Sequence, residues 1–271
     1  KVVINKGTSI NFINGGGLIV NNSFEAHGTK QKPIHIFSSD GNNHGVTILE
    51  GEFVKMTFVN FESLNALHYK KWQLTGSVSI YESETRISNC TISNNTCEDG
   101  LNIIRSNFVI DSLFVSGTKS DGFDADFCTG EIKNSRFENT GNDCIDFSGS
   151  VIEINNIVIL NSGDKGISGG ERSELMLNNI NINGAITGIA AKDDTKIIGN
   201  KIKVSNAEFG VAAFQKKAEY NKASIMLTNV DYSNLQQYGL VDLGSYVVLD
   251  GEYYYGGMLI DIDKLYSRFE K

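Results

Sequence analysis

The chain has 271 residues, 40% of them hydrophobic, with a formal net charge of -8 and a pI near 5.1. An acidic balance argues against nucleic acid as a partner, because it cannot neutralise phosphates, and no apolar run is long enough for a membrane span. With 28 Gly, one Pro and neither a Pro/Ser-rich linker nor a charge block, residues 1–271 read as one continuous domain.

Strand-like residues (Val2, Val3, Ile4) appear at once, with neither Met nor a signal sequence ahead of them. This start reads as a mature or excised segment of a larger multidomain chain, with an extracellular or cell-surface location. Residues 30–75 are less regular than the rest of the chain and read as capping coils. All four histidines (His27, His35, His44, His68) lie in this first part without metal-ligand spacing. Tyr69 and Trp72, like Tyr253 to Tyr255 near the other end, read as capping or core residues rather than sugar-stacking ones.

From Asp99 onward the period is strict: Asp99, Asp121, Asp143, Lys165, Thr187 and Phe209 are each 22 residues apart. After each comes Gly or Cys (Gly100, Gly122, Cys144, Gly166, Gly188, Gly210) and then a large apolar residue (Leu101, Phe123, Ile145, Ile167, Ile189, Val211). Outward small residues alternating with inward apolar ones make a strand signal. Two further columns keep the interval: Ile110, Ile132, Ile154, Met176, Ile198, and Asn134, Asn156, Asn178, Asn200. Stacked asparagines can exchange amide hydrogen bonds from coil to coil. A loop at Lys216–Lys222 shifts the phase by 7, so that Phe209 is followed by Tyr238 and Asn200 by Asn229. The segment Leu259–Phe269 has spacing compatible with a short helix, giving a C-terminal cap over about 257–271.

Leucine-rich repeats need more Leu, helical repeats need longer units, and a nonapeptide calcium-binding roll has the wrong period. The pattern instead predicts an all-β, right-handed parallel β-helix of about 22 residues per coil. The four cysteines, Cys90, Cys97, Cys128 and Cys144, match no zinc or disulfide pattern and read as core or turn residues.

Adjacent coils of such a solenoid lie about 4.8 Å apart, which stacks Asp99, Asp121 and Asp143 at near-contact distance. A second line, Asn102, Asp124, Asp146 and Ser168, runs beside them, and Asp126 adds to the cluster. Stacked carboxylates raise one another's pKa unless a cation or basic group intervenes, so the line reads as a catalytic or cation-binding site. Lys165 joins the same column next to Asp164, while Arg105, Lys192 and Glu171 border the face as substrate contacts.

The segments SDGFD (Ser120–Asp124), GNDCI (Gly141–Ile145), KGIS (Lys165–Ser168) and GIAAKD (Gly188–Asp193) resemble, in order and coil phase, the four signatures of polygalacturonases. That resemblance implies a pectin-cleaving parallel β-helix with Asp121 and Asp143 at two of three catalytic aspartate positions. The departures are chemical: Asn142 stands at the proton donor's place and cannot act as a general acid, Lys165 replaces a histidine, and Ala190 replaces the arginine that holds the sugar carboxylate. NDCID (Asn142–Asp146) also looks like the acidic segment of calcium-dependent pectate lyases. This second resemblance implies Ca²⁺ held by Asp121, Asp124, Asp126, Asp143 and Asp146, with Lys165, or else Lys192, abstracting a proton from an acidic polysaccharide before β-elimination. A polygalacturonase-like hydrolase, a uronate epimerase and a non-catalytic glycan- or calcium-binding module remain as alternatives.

Overall fold

A computed structural model describes residues 1–262; most of the segment read as a C-terminal helix lies outside the described residues. The chain winds into an all-β parallel solenoid of about 11 turns and about 23 residues per turn. Its inner wall is the apolar column read from the repeat. Leu101, Phe123, Ile145, Ile167, Ile189 and Val211 are in-register partners on successive coils, and each is 0% exposed. Edge-to-face packing of Phe108, Phe123 and Phe147, with centroids 5.5 Å apart, ties neighbouring coils within the core.

Asparagine makes the corners. Asn134, Asn156 and Asn179 adopt positive φ, a conformation that their short polar side chain tolerates. Asn156 donates to Asn134 at 2.8 Å and Asn179 to Asn156 at 3.0 Å. A second amide ladder runs from Asn161 to Asn139. Both satisfy polar groups at bends where the backbone ladder is interrupted.

The structure revises three readings of the repeat. The Gly column faces inward: a Cβ on Gly100, Gly122, Gly166, Gly188 or Gly210 would lie 2.6–2.8 Å from a carbonyl oxygen of the next coil. Glycine is there to permit close approach of stacked backbones; Cys144 occupies the same column fully buried. One extra residue in the turn around Glu171 and Arg172 shifts the register, so Ile154 pairs with Leu177. Met176 and Ile198 are consequently exposed, as a one-residue slip turns every side chain to the opposite face. Phe209 pairs with Gln237, one residue short of Tyr238, although Asn229 still reaches Asn200 at 2.6 Å. The last coil pairs with an antiparallel hairpin, Tyr246–Leu249 with Glu252–Tyr255. Ile260 and Ile262 pack on the outward face, against Ala190, Ala212 and Phe214.

The irregularity of residues 30–75 has a visible cause. The small hairpin His68–Tyr69/Trp72–Gln73 is inserted there, and the pairings Val54↔Thr85 and Val46↔Val78 span longer coils than the later ones.

Candidate active site

One sheet face carries the chemistry. The strands Asp99–Ile104, Asp121–Asp126, Ile145–Ser148 and Lys165–Gly170 lie side by side and present three outward rows. The first runs Asp99, Asp121, Asp143, Lys165; the second Asn102, Asp124, Asp146, Ser168; the third Ile104, Asp126, Ser148, Gly170. The structure thus brings together all five carboxylates expected at the site, together with Lys165 and Lys192.

The rows differ in depth. Asp99 and Asp143 are each 2% exposed and Lys165 is 6% exposed, whereas Asp121, Asp124, Asp126 and Asp146 keep part of their surface open. The buried row is tied along the axis. Asp121 accepts from the Asp143 backbone N–H at 2.9 Å and from the Asn142 amide at 2.7 Å. Asp143 in turn accepts from the Lys165 backbone N–H at 3.0 Å and lies 3.4 Å from Lys165 Nζ. Asp164 holds the same Nζ in a second ion pair. Asn142, read as a lost proton donor, therefore anchors Asp121.

Burial pushes Asp99 up to about 8 and, with Asp143 repelling it, Asp121 up to about 7. Asp143 is raised to about 6 by burial, which Lys165 opposes. Asp126 also rises to about 6, from burial and then from repulsion by Asp146 and Glu171. Asp124 is raised well above its ordinary value by burial and by the carboxylates around it. It keeps one fixed contact, from the Asn102 amide to Oδ2 at 2.9 Å. Asp146 is the exception. Burial works against its charge, but Lys192, Ser168 and Lys165 together outweigh that effect and hold the carboxyl below the usual range.

Lys192 reaches Asp146 across an intervening coil, with Nζ 3.5 Å from both carboxylate oxygens. Its stem passes directly over Gly170, where a Cβ would make ordinary van der Waals contact with Lys192 Cε at 3.5 Å. No alignment of motifs could show this diagonal contact.

Arg105 and Glu171 lie at the rim, in a column of positive-φ turn residues that also contains Phe127, Gly149 and Asp193. Arg105 donates to the Tyr81 hydroxyl at 2.7 Å, and Glu171 pairs with Lys217. Sequence reasoning missed Lys216 and Lys217 because they belong to the phase-shifting loop. The carboxylates of Asp126 and Asp146 lie close enough to that loop to influence, or be influenced by, its lysines. It also missed Phe127, an exposed aromatic directly after Asp126. Trp72 and Tyr69, read as packing residues, are exposed on their hairpin.

As placed, the five aspartates do not form a calcium ligand set. Among the described residues, no three His, Cys, Asp or Glu side chains converge as a ligand set. Asp143 and Asp146 face ammonium groups, while Asp121 and Asp124 accept from amides.

No protein-family model matches the chain, and no curated protein matches it in sequence. Among solved structures it is similar to the enzymatically active domain of tailspike protein 2 of bacteriophage CBA120, with a TM-score of 0.60 and 13% identity over 90% of this chain and 48% of that one. Full-length tailspike protein 2, from an Escherichia coli O157:H7 bacteriophage, gives 0.56 at 13% identity over 87% of this chain and 38% of that one. An alginate lyase from Paenibacillus sp. gives 0.43 at 14% identity, over 95% and 91%. The chain thus spans less than half the length of the tailspike chains it matches. At such identity the likeness defines the class of fold, a parallel β-solenoid, and goes no further.

Proposed function

We propose that this chain is a polysaccharide-degrading enzyme that hydrolyses glycosidic bonds, with Asp124 as general acid and Asp146 as its ionised partner. The carrying observation is the opposite pull on two in-register neighbours: burial and the surrounding carboxylates favour the protonated form of Asp124, while Lys192, with Ser168 and Lys165, favours the charged form of Asp146. Paired carboxyls whose surroundings separate their pKa values are suited to acid and base roles at one bond. Asp124 would give its proton to the glycosidic oxygen as the bond breaks. Asp146 would stabilise the developing positive charge at the sugar carbon, and water would add its hydroxyl there while its remaining proton returns to Asp124.

Further support comes from the accessible position of this pair and from the fold shared with a tailspike domain described as enzymatically active. Lys165 suits β-elimination less well, because a base must be neutral and two carboxylates against its nitrogen favour the ammonium form. A polymeric glycan substrate implies an extracellular or cell-surface setting.

The test is incubation with a panel of soluble polysaccharides. New reducing ends without ultraviolet absorbance, lost in Asp124→Asn and in Asp146→Asn, are expected. An unsaturated, ultraviolet-absorbing product, abolished in Lys165→Ala, would overturn hydrolysis in favour of the lyase.

A further inference from the structure

Beside the acid site runs a ledge that the mechanism does not use. Phe127 follows Asp126 at a turn with φ 55° and is 56% exposed. Its ring lies over Gly149, where a Cβ would come within 2.7 Å of the ring carbon Cδ1. Glycine at this turn thus keeps the ring's seat open. On the other side, the Arg105 guanidinium stands 5.8 Å from the Phe127 centroid and 6.0 Å from that of Tyr81. Tyr81 then borders a cavity of about 510 Å³ walled by Trp72, Leu49, Leu74 and Lys71. Because Tyr81, Ile104 and Asp126 are in-register partners, the ledge runs along the edge of the third row of the site, with Tyr81 in that row and Arg105 and Phe127 in the turn column beside it, advancing about 4.8 Å per coil along the solenoid axis.

Resting on the hydrolase reading, we infer that the substrate is a polysaccharide of low charge, whose rings stack along the ledge from Phe127 to the Trp72 cavity. Aromatic faces suit the C–H faces of sugar rings, and the acid-rich surroundings suit hydroxyl donors. They do not suit a polyuronate. Glu50, Glu82 and Glu84 line the surface around Arg105. Lys165 and Lys192 are engaged by Asp143, Asp164 and Asp146. Ala190, where the polygalacturonase pattern has its uronate-holding arginine, is buried. Along this path, where Arg105 and Lys71 are outnumbered by Glu50, Glu82, Glu84 and Asp126, the acidic polymer read from the motifs would meet mostly like charge.

Trp72 is the only tryptophan in the chain, so its fluorescence reports directly on the cavity. The Asp124→Asn variant is titrated with dextran, galactomannan, a neutral bacterial O-polysaccharide and polygalacturonate, following Trp72 emission and its quenching by acrylamide. Protection by at least one neutral polymer and none by polygalacturonate is expected. Phe127→Ala should weaken that binding about threefold to tenfold and raise KM for the same polymer. Preferential protection by polygalacturonate, or no protection by any of the four, overturns the inference. Cleavage of a neutral polymer that proceeds equally well in Trp72→Ala and Phe127→Ala also overturns it while leaving the hydrolase reading intact. Protection without cleavage by the unmodified protein does the reverse.

Discussion

Asp124 and Asp146 are in-register neighbours on adjacent coils, yet one carboxyl is driven toward its protonated form and the other toward its charged form. Lys192 leads the groups that make the difference, ahead of Ser168 and Lys165: its ammonium lies 3.5 Å from each oxygen of Asp146, while Asp124 has an amide partner from Asn102 and carboxylates around it.

Replacing either member with the isosteric amide should remove activity without removing the fold. Asp124→Asn and Asp146→Asn are each expected to lower kcat by about 10²- to 10⁴-fold. Reducing-end assays, alongside circular dichroism to verify the coil, check this.

The pH profile should be a broad bell. Activity rises as Asp146 ionises, below the usual carboxylate range, and falls as Asp124 loses its proton, well above that range. Lys192→Met removes the charge that depresses Asp146, so the acidic limb should move to higher pH while the basic limb moves less. Measurement of kcat/KM against pH in both proteins decides it.

Stability should decline as the buried carboxyls ionise. Asp99, raised to about 8 in the folded chain by burial, binds a proton more tightly there than when unfolded. Its contribution is complete below its ordinary value near 3.8 and is lost as pH rises through about 8. Asp99→Asn should therefore give a larger gain in Tm, relative to the unmodified protein, at pH near 9 than at pH near 5. Thermal melts at both pH values check the sign.

The aromatic stack is the mechanical link between coils of the site. Phe123→Ala deletes the central ring between Phe108 and Phe147 and should cost about 3–5 kcal/mol. Urea unfolding measures it directly.

Much of the scaffold was legible in the chain. The 22-residue period placed Leu101 through Val211 on one inner wall and Asp99 through Lys165 on one outer row, because identical coils stack in register and one sequence column becomes one line in space. The Gly column misled. Small residues can serve either face of a strand, and only the core side chains that the would-be Cβ atoms meet, Phe137 at Gly122, Ile182 at Gly166 and Val204 at Gly188, reveal which. The columns through Met176 and Ile198 failed for another reason. A single extra turn residue leaves no mark in composition but reverses the face of everything after it until the register recovers.

Which acidic residues stack, in what order and on which coils came from spacing alone, since spacing is what a solenoid converts into geometry. Depth and charge state did not. The burial of Asp99, Asp143 and Lys165, the reach of Lys192 past Gly170 to Asp146, and the path from Phe127 to Trp72 depend on side chains meeting across coils and inserted loops. Burial and the nearest opposite charge govern a carboxyl's protonation, and both are properties of the folded surface rather than of any column of the repeat.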